Sequence, residues 1–233
     1  MITDDYAPVE NMLASVVRRS GNDMLAINAE NAAKQLKQQG NYDQSIQKFI
    51  EMVRIEPTMS ILGYNEIGIM LAQQNKTTEA VDYFLKAIEY NDNAENKVNL
   101  ASVHLNVAVL LKNTNPEQAK IHFQQAADGY KKELTKNPKL LNETLLVANC
   151  LKETGNYSEA IEYFQKAVDL NPYDVQQHIT LAKAYEEQGK FDDAIAVIKK
   201  AIGFFEYIKE EKRSAPLKEQ LGYLEFQKTR VQP

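Results

Sequence analysis

Residues 146–167 and 180–201 carry one pattern twice, 34 residues apart. Each reads as an amphipathic helix, a turn around a glycine (Gly155 or Gly189) and a second amphipathic helix. A period of that length constrains the fold more than any other feature of the chain. Each helical hairpin has too little apolar surface to make a core alone, so neighbours must stack to bury one continuously.

Carrying the register in both directions divides the chain into five units, 26–60, 61–100, 101–140, 141–174 and 175–213. A segment, 1–25, precedes them and another, 214–233, follows. Small residues recur in the first helix at Ala33, Gly68, Ala108, Ala148 and Ala182. In the second helix they recur at Ser45, Ala80, Ala119, Ala160 and Ala194, and again at Ala87, Ala126, Ala167 and Ala201, where the first unit has Met52. Between these two slots stands a bulky residue: Phe49, Phe84, Phe123, Phe164 or Ile198. Antiparallel helices approach closely only where neither carries a large side chain, and a large one must then fill the groove beside them. Pro57 and Pro172 mark the ends of second helices, because proline cannot continue a helix. Gly40, Gly155 and Gly189 mark turns where a left-handed residue ends the first helix.

The pattern is similar to the tetratricopeptide repeat family over roughly residues 26 to 210. The consensus is met at Tyr64, Ile67, Gly68, Leu71, Ala80, Phe84 and Ala87, and at Val147, Ala148, Leu151, Tyr157, Ala160, Phe164, Ala167 and Pro172. The resemblance implies an all-α protein, a right-handed superhelical α-solenoid of five helix-turn-helix repeats with a C-terminal capping helix. It also implies a concave groove lined by the first helices and a partner that is an extended peptide or a helix. The groove-facing places are Asn31, Lys34 and Lys37, then Asn65, Ile69 and Gln73, then Asn106, Val109 and Lys112, then Asn149 and Lys152, and last Lys183. Asparagine amides both donate to and accept from a peptide backbone. Five lysines bias the groove toward acidic peptides. The lysine–asparagine clamp by which some members hold C-terminal carboxylates is incomplete, since its other places hold Glu30, Glu66, Ser102 and Asn106.

The second and third units exceed the usual period by six residues. Residues 94–98 read as extra turns before the third unit's first helix, and its second helix is expected to run to Asn137 and Pro138 and project as a ledge. After the repeats, Leu217, Leu221 and Leu224 fall on one stripe of a capping helix expected to start at Pro216, following a long helix from Phe191 to about Arg213. Before them, Val9, Met12, Leu13, Val16 and Val17 form a short amphipathic helix closed by Ser20, Gly21 and Asn22. That helix is expected to cap the first repeat, to dock on another domain, or to pair with a second copy as a homodimer. Residues 3–10 (TDDYAPVE) resemble the closing segment of spermidine-synthase-like proteins. That resemblance implies an alternative role as the accessory segment of a larger enzyme of that or a methyltransferase kind, recruiting substrates or mediating self-association.

Catalytic chemistry finds no local support. The 27 basic against 32 acidic side chains leave a net charge of −5, which argues against nucleic acid as a partner. The longest apolar runs, such as 107–111, are far short of the ~20 residues of a membrane span. Direct membrane insertion is therefore not expected, and without a basic-then-apolar leader pattern the expected location is cytoplasmic. His104, His122 and His178 are scattered and read as structural; Cys150 has no cation on its own helix face to stabilise a thiolate. No nucleophile–base pair, metal-ligand spacing or glycine-rich cofactor turn is present, so neither an enzyme nor a cofactor is expected.

Overall fold

The computed structural model describes residues 7–92 and 100–231, with side chains described over 21–90 and 100–231. Among these residues the structure is helical throughout, with no strand. The helices are α1 (Ala7–Gln38), α2 (Tyr42–Ile55), α3 (Ser60–Gln73), α4 (Thr77–Asp92), α5 (Ala101–Leu111), α6 (Pro116–Lys136), α7 (Leu141–Thr154), α8 (Tyr157–Leu170), α9 (Val175–Glu187), α10 (Phe191–Tyr207) and α11 (Glu211–Val231). α1 packs on α2 and α3 on α4, and farther along the chain α6 packs on α7, α7 on α8, α9 on α10 and α10 on α11. The chain divides into two compact units, 1–110 and 111–233.

In the first unit the small slots meet as their spacing demands. Ser45 on α2 is fully buried, and its hydroxyl donates to the Ala33 carbonyl of α1 at 2.7 Å, so a polar residue serves where other repeats use alanine. At Gly68 on α3 a β-carbon would stand 2.7 Å from the Phe84 ring of α4; glycine holds that slot because the ring occupies the space of a methyl group. Phe49, Met52 and Phe84 are sequestered from water. Each such side chain contributes about 2–3 kcal/mol of burial. Met52, the exception to the small slot, fills core volume beside Gly63.

The second unit repeats the arrangement with Ala148, Ala160, Phe164, Ala167, Ala182, Ala194, Ile198 and Ala201 all buried. Its turns show why glycine was needed. Gly155 adopts φ +87°, and the following Asn156 N–H closes on the Leu151 carbonyl at 2.9 Å, satisfying a helix-end acceptor. Asn75 takes the same left-handed conformation, φ +62°, in the α3–α4 turn, asparagine being the residue that tolerates it best after glycine. Asn156 then caps α8, accepting from the Glu159 N–H while its amide donates to the Glu159 carboxylate.

Four expectations change. α1 is one continuous helix of 32 residues, running through Ser20, Gly21 and Asn22 without a break. Gly21 shows no left-handed backbone, and a glycine inside a helix costs only about 1 kcal/mol, so it permits a stop without imposing one. The boundary expected at residue 25 thus falls inside a helix. The side chains of the stripe from Val9 to Val17, residues 3–6 and residues 94–98 lie outside the described residues. The expected ledge on α6 is partly packed: the helix does reach Lys136, but Tyr130 in its extension is buried. The capping helix begins at Glu211, five residues before Pro216, and α10 ends at Tyr207 in a turn where Lys209 has φ +61°. Pro216 lies inside α11 as its sixth residue. Leu217 and Leu224 are fully buried against Ile198, Ala201, Ile202 and Phe205, with Leu221 packed beside them. The leucine stripe therefore seals the last hairpin as expected.

Candidate functional site

The first helix of each repeat presents one exposed face, and the residues assigned to it fall into separate groups. On α3 and α5, Ile69, Gln73, Asn106 and Val109 come together. With Ala72, Phe84, Leu105 and Leu110 they line a depression of about 450 Å³, predominantly apolar. Val109 is 58% exposed, whereas Phe84 at 2% is the floor. Asn106 and Gln73 place two amides among these apolar side chains. Ala72, Leu105 and Leu110 were missed by the sequence reading, although Leu105 lies one helical turn from Val109 and Ala72 one from Ile69, so extending the stripe by a turn finds them.

In the second unit Lys112 and Lys152 line a cleft of about 430 Å³ with Lys120, Glu153, Tyr157 and Glu187. Their charges are matched. Lys112 pairs with Glu153 at 2.8 Å and Lys152 with Glu187 at 3.7 Å, each bond reaching the first helix of the next repeat. In the first unit Lys34 pairs with Glu30 and Lys37 with Glu66 at 2.7 Å. The expected surplus of positive charge is therefore largely cancelled, because each of these four lysines stands against a carboxylate supplied by its own or the following repeat. Among the described residues, Lys183 is the one of the five groove lysines with no carboxylate at ion-pair distance.

The asparagines also differ from one another. Asn149 donates its amide to the Leu145 carbonyl of its own helix at 2.9 Å, which reduces what it can offer a partner. Asn65 keeps a buried side-chain oxygen without a hydrogen-bond partner. Asn31 is exposed and lies apart from the Ile69–Val109 depression.

His178 is buried, its Nε2–H donates to the Pro172 carbonyl at 2.9 Å, and its ring meets Phe205 edge-on. A carbonyl can only accept, so the bond selects the Nε2-protonated tautomer. Burial holds the His122 pKa below its ordinary value. Cys150 is buried, and loss of solvation pushes its pKa up to about 12, which keeps the thiol protonated and unreactive. No cluster of three or more histidine, cysteine or carboxylate side chains that could hold a metal ion occurs among the described residues. None of the described helices is long and apolar enough to cross a membrane.

Comparison with known proteins agrees with this architecture. A tetratricopeptide repeat family profile matches residues 63–90, and the profile of anaphase-promoting complex, cyclosome, subunit 3 matches 119–201. Photosystem I assembly protein Ycf3 of Chaetosphaeridium globosum is 26% identical over 159 residues, spanning 66% of this chain and 92% of its own length. Among solved structures, YrrB, described as a TPR protein with an unusual peptide-binding site, superposes with a TM-score of 0.57 at 18% identity. That match covers 82% of this chain and 90% of YrrB. MamA from Desulfovibrio magneticus RS-1 superposes with the same TM-score at 19% identity, covering 82% and 97%. The fold is that of the tetratricopeptide repeat proteins.

Proposed function

We propose that this tetratricopeptide-repeat chain is a non-catalytic scaffold that holds an extended peptide, or one face of a helix, from a protein partner against the first helices of its repeats. The observation that carries this reading is the depression around Val109. It combines an apolar floor, which rewards burial of a partner side chain, with the amides of Asn106 and Gln73, which can pair with backbone N–H and C=O groups without reading sequence. Val109, exposed to 58%, borders this apolar depression, and covering it repays a partner.

The naming of YrrB as a protein with a peptide-binding site and of Ycf3 as an assembly protein supports a binding role of this kind. The Lys–Glu pairs change the chemistry of the proposed ligand. With four of the five lysines already engaged, affinity here comes from apolar anchoring, with backbone pairing setting orientation. The test is selection of 12-residue peptides from a random display library on the full chain, followed by affinity measurement on Val109→Glu and Asn106→Ala. A charge inside the depression is expected to lower affinity more than tenfold, and loss of the amide about three- to tenfold. Selected peptides that bind both variants as tightly as the parent would remove the depression as the site.

A further inference from the structure

A second cleft lies where the last repeat meets its cap, between α9, the start of α10 and α11, with a volume of about 600 Å³. Its lining is Lys183, Glu186 and Glu187 from α9, Phe191 from α10, and Gln220 and Tyr223 from α11. The polar groups of this cleft are unequally satisfied. Glu187 pairs with Lys152 at 3.7 Å, and the Glu186 carboxylate stands beside the Tyr223 hydroxyl, whose pKa it raises. The nitrogen donors differ. Lys183 is exposed to water and has no ion-pair partner among the described residues, whereas the Nε2 of Gln220 is buried without an acceptor. A buried donor without a partner is costly, and a structure retains one where something else supplies the acceptor.

We propose that this cleft receives a glutamate or aspartate side chain from a peptide partner, with Lys183 pairing to the carboxylate and the Gln220 amide swinging outward to donate to it. The donors sit at the tips of long, rotatable side chains, which suits a carboxylate carried on a flexible stem of its own. Glu186 and Glu187 stand beside the site, so it selects a single acidic residue and disfavours an acidic run, whose further charges meet like charge. Phe191 and Tyr223 supply aromatic surface for the stem or for an apolar neighbour. The expected acidic preference thus belongs to one lysine of the five, at the repeat end of the chain. This inference does not depend on the depression around Val109, which belongs to the other compact unit.

The experiment is an NMR titration of the full chain with N-acetyl-glutamate N-methylamide, following the side-chain amide signal of Gln220, identified by its loss in Gln220→Ala. A lone contact of this kind binds in about the millimolar range. The Gln220 protons are expected to move downfield and saturate, and Lys183→Gln is expected to weaken the response about tenfold while leaving the thermal midpoint unchanged. The glutamine analogue, N-acetyl-glutamine N-methylamide, should leave the signal in place. Equal shifts with the glutamine analogue, an unaltered response in Lys183→Gln, or no movement at any concentration would each overturn the assignment. A response confined to N-acetyl-leucine, whose carboxylate is terminal, would overturn the side-chain specificity. Val109→Glu separates the two sites: it should abolish binding of library peptides at the depression and leave the Gln220 response intact.

Discussion

Ile69 and Val109 occupy the same place in their repeats as Asn149 and Lys183, one residue after the small slot of the first helix. On α3 and α5 that place is apolar and borders a depression floored by Phe84. On α7 and α9 it is polar, and beside it Lys112 and Lys152 form ion pairs with Glu153 and Glu187 on the first helix of the following repeat. One backbone geometry therefore carries two chemistries. Where the exposed face is apolar it can gain from a partner. Where it is laced by Lys–Glu pairs it is already satisfied, and those pairs, being exposed, hold the stack only weakly at about 0–1 kcal/mol each.

The sharpest way to break this comparison is to remove the matching phenylalanines. Phe84→Ala and Phe164→Ala should each cost about 3–5 kcal/mol in denaturant unfolding, since both side chains are almost wholly buried. Phe84→Ala should also abolish peptide binding in the fraction still folded, because it removes the floor of the depression, whereas Phe164→Ala should leave it. Equal binding by the two variants would mean the floor plays no part in recognition.

Gly68→Ala tests the small slots next. The added methyl meets the Phe84 ring, and the expected loss is about 1–3 kcal/mol by thermal melting, although alanine is the residue in every other repeat. A neutral effect would show that Phe84 can move aside.

The α6–α7 pairing has its own probe in pH. Burial pushes the Cys150 thiol and the Tyr130 hydroxyl up to about 12, from ordinary values of 9.0 and 10.0. Both are protonated in the folded chain at a pH where the unfolded chain has released its protons, so their linkage is absent below about pH 9. Stability is then lost as pH rises from 9 toward about 12. Cys150→Ala should flatten part of that slope. By the same reasoning, the native thiol should resist alkylation at pH 8 until the protein is unfolded.

Gly203→Ala on α10 meets no atom within 4 Å and should stabilise the chain by about 0.4–1 kcal/mol. The smallest expected effect is in a double-mutant cycle on Lys152 and Glu187, with a coupling below about 1 kcal/mol that fades in salt. A larger coupling would make the ion pairs, and not the core, the feature that stiffens the second unit.

Much of this was legible in the chain itself. The alanine slots, the phenylalanines between them and the leucines of the last helix recur at fixed intervals, and the structure buries nearly all of them. The lysines were read for their charge alone: the glutamates that answer Lys37, Lys112 and Lys152 stand 29 to 41 residues away in sequence, whereas Glu30, one helical turn before Lys34, was legible in the chain. Gly21 and Pro216 were read as boundaries, yet each lies within a helix. A glycine or proline reports what a backbone can do locally, and the neighbours decide whether it does so.

The period and composition of the chain by themselves determined that it folds as tandem helical hairpins without a catalytic centre legible in its local motifs, because close helix packing requires small residues at a regular spacing and that spacing survives in the sequence. Only the tertiary structure decided which distant glutamates engage Lys37, Lys112 and Lys152, that Val109 and Phe84 line one depression, and that the Gln220 amide nitrogen is buried without an acceptor. Those properties depend on distances between different repeats, where a rotation of one helix or a single side-chain rotamer moves a charged tip by several ångströms and no short stretch of sequence records it.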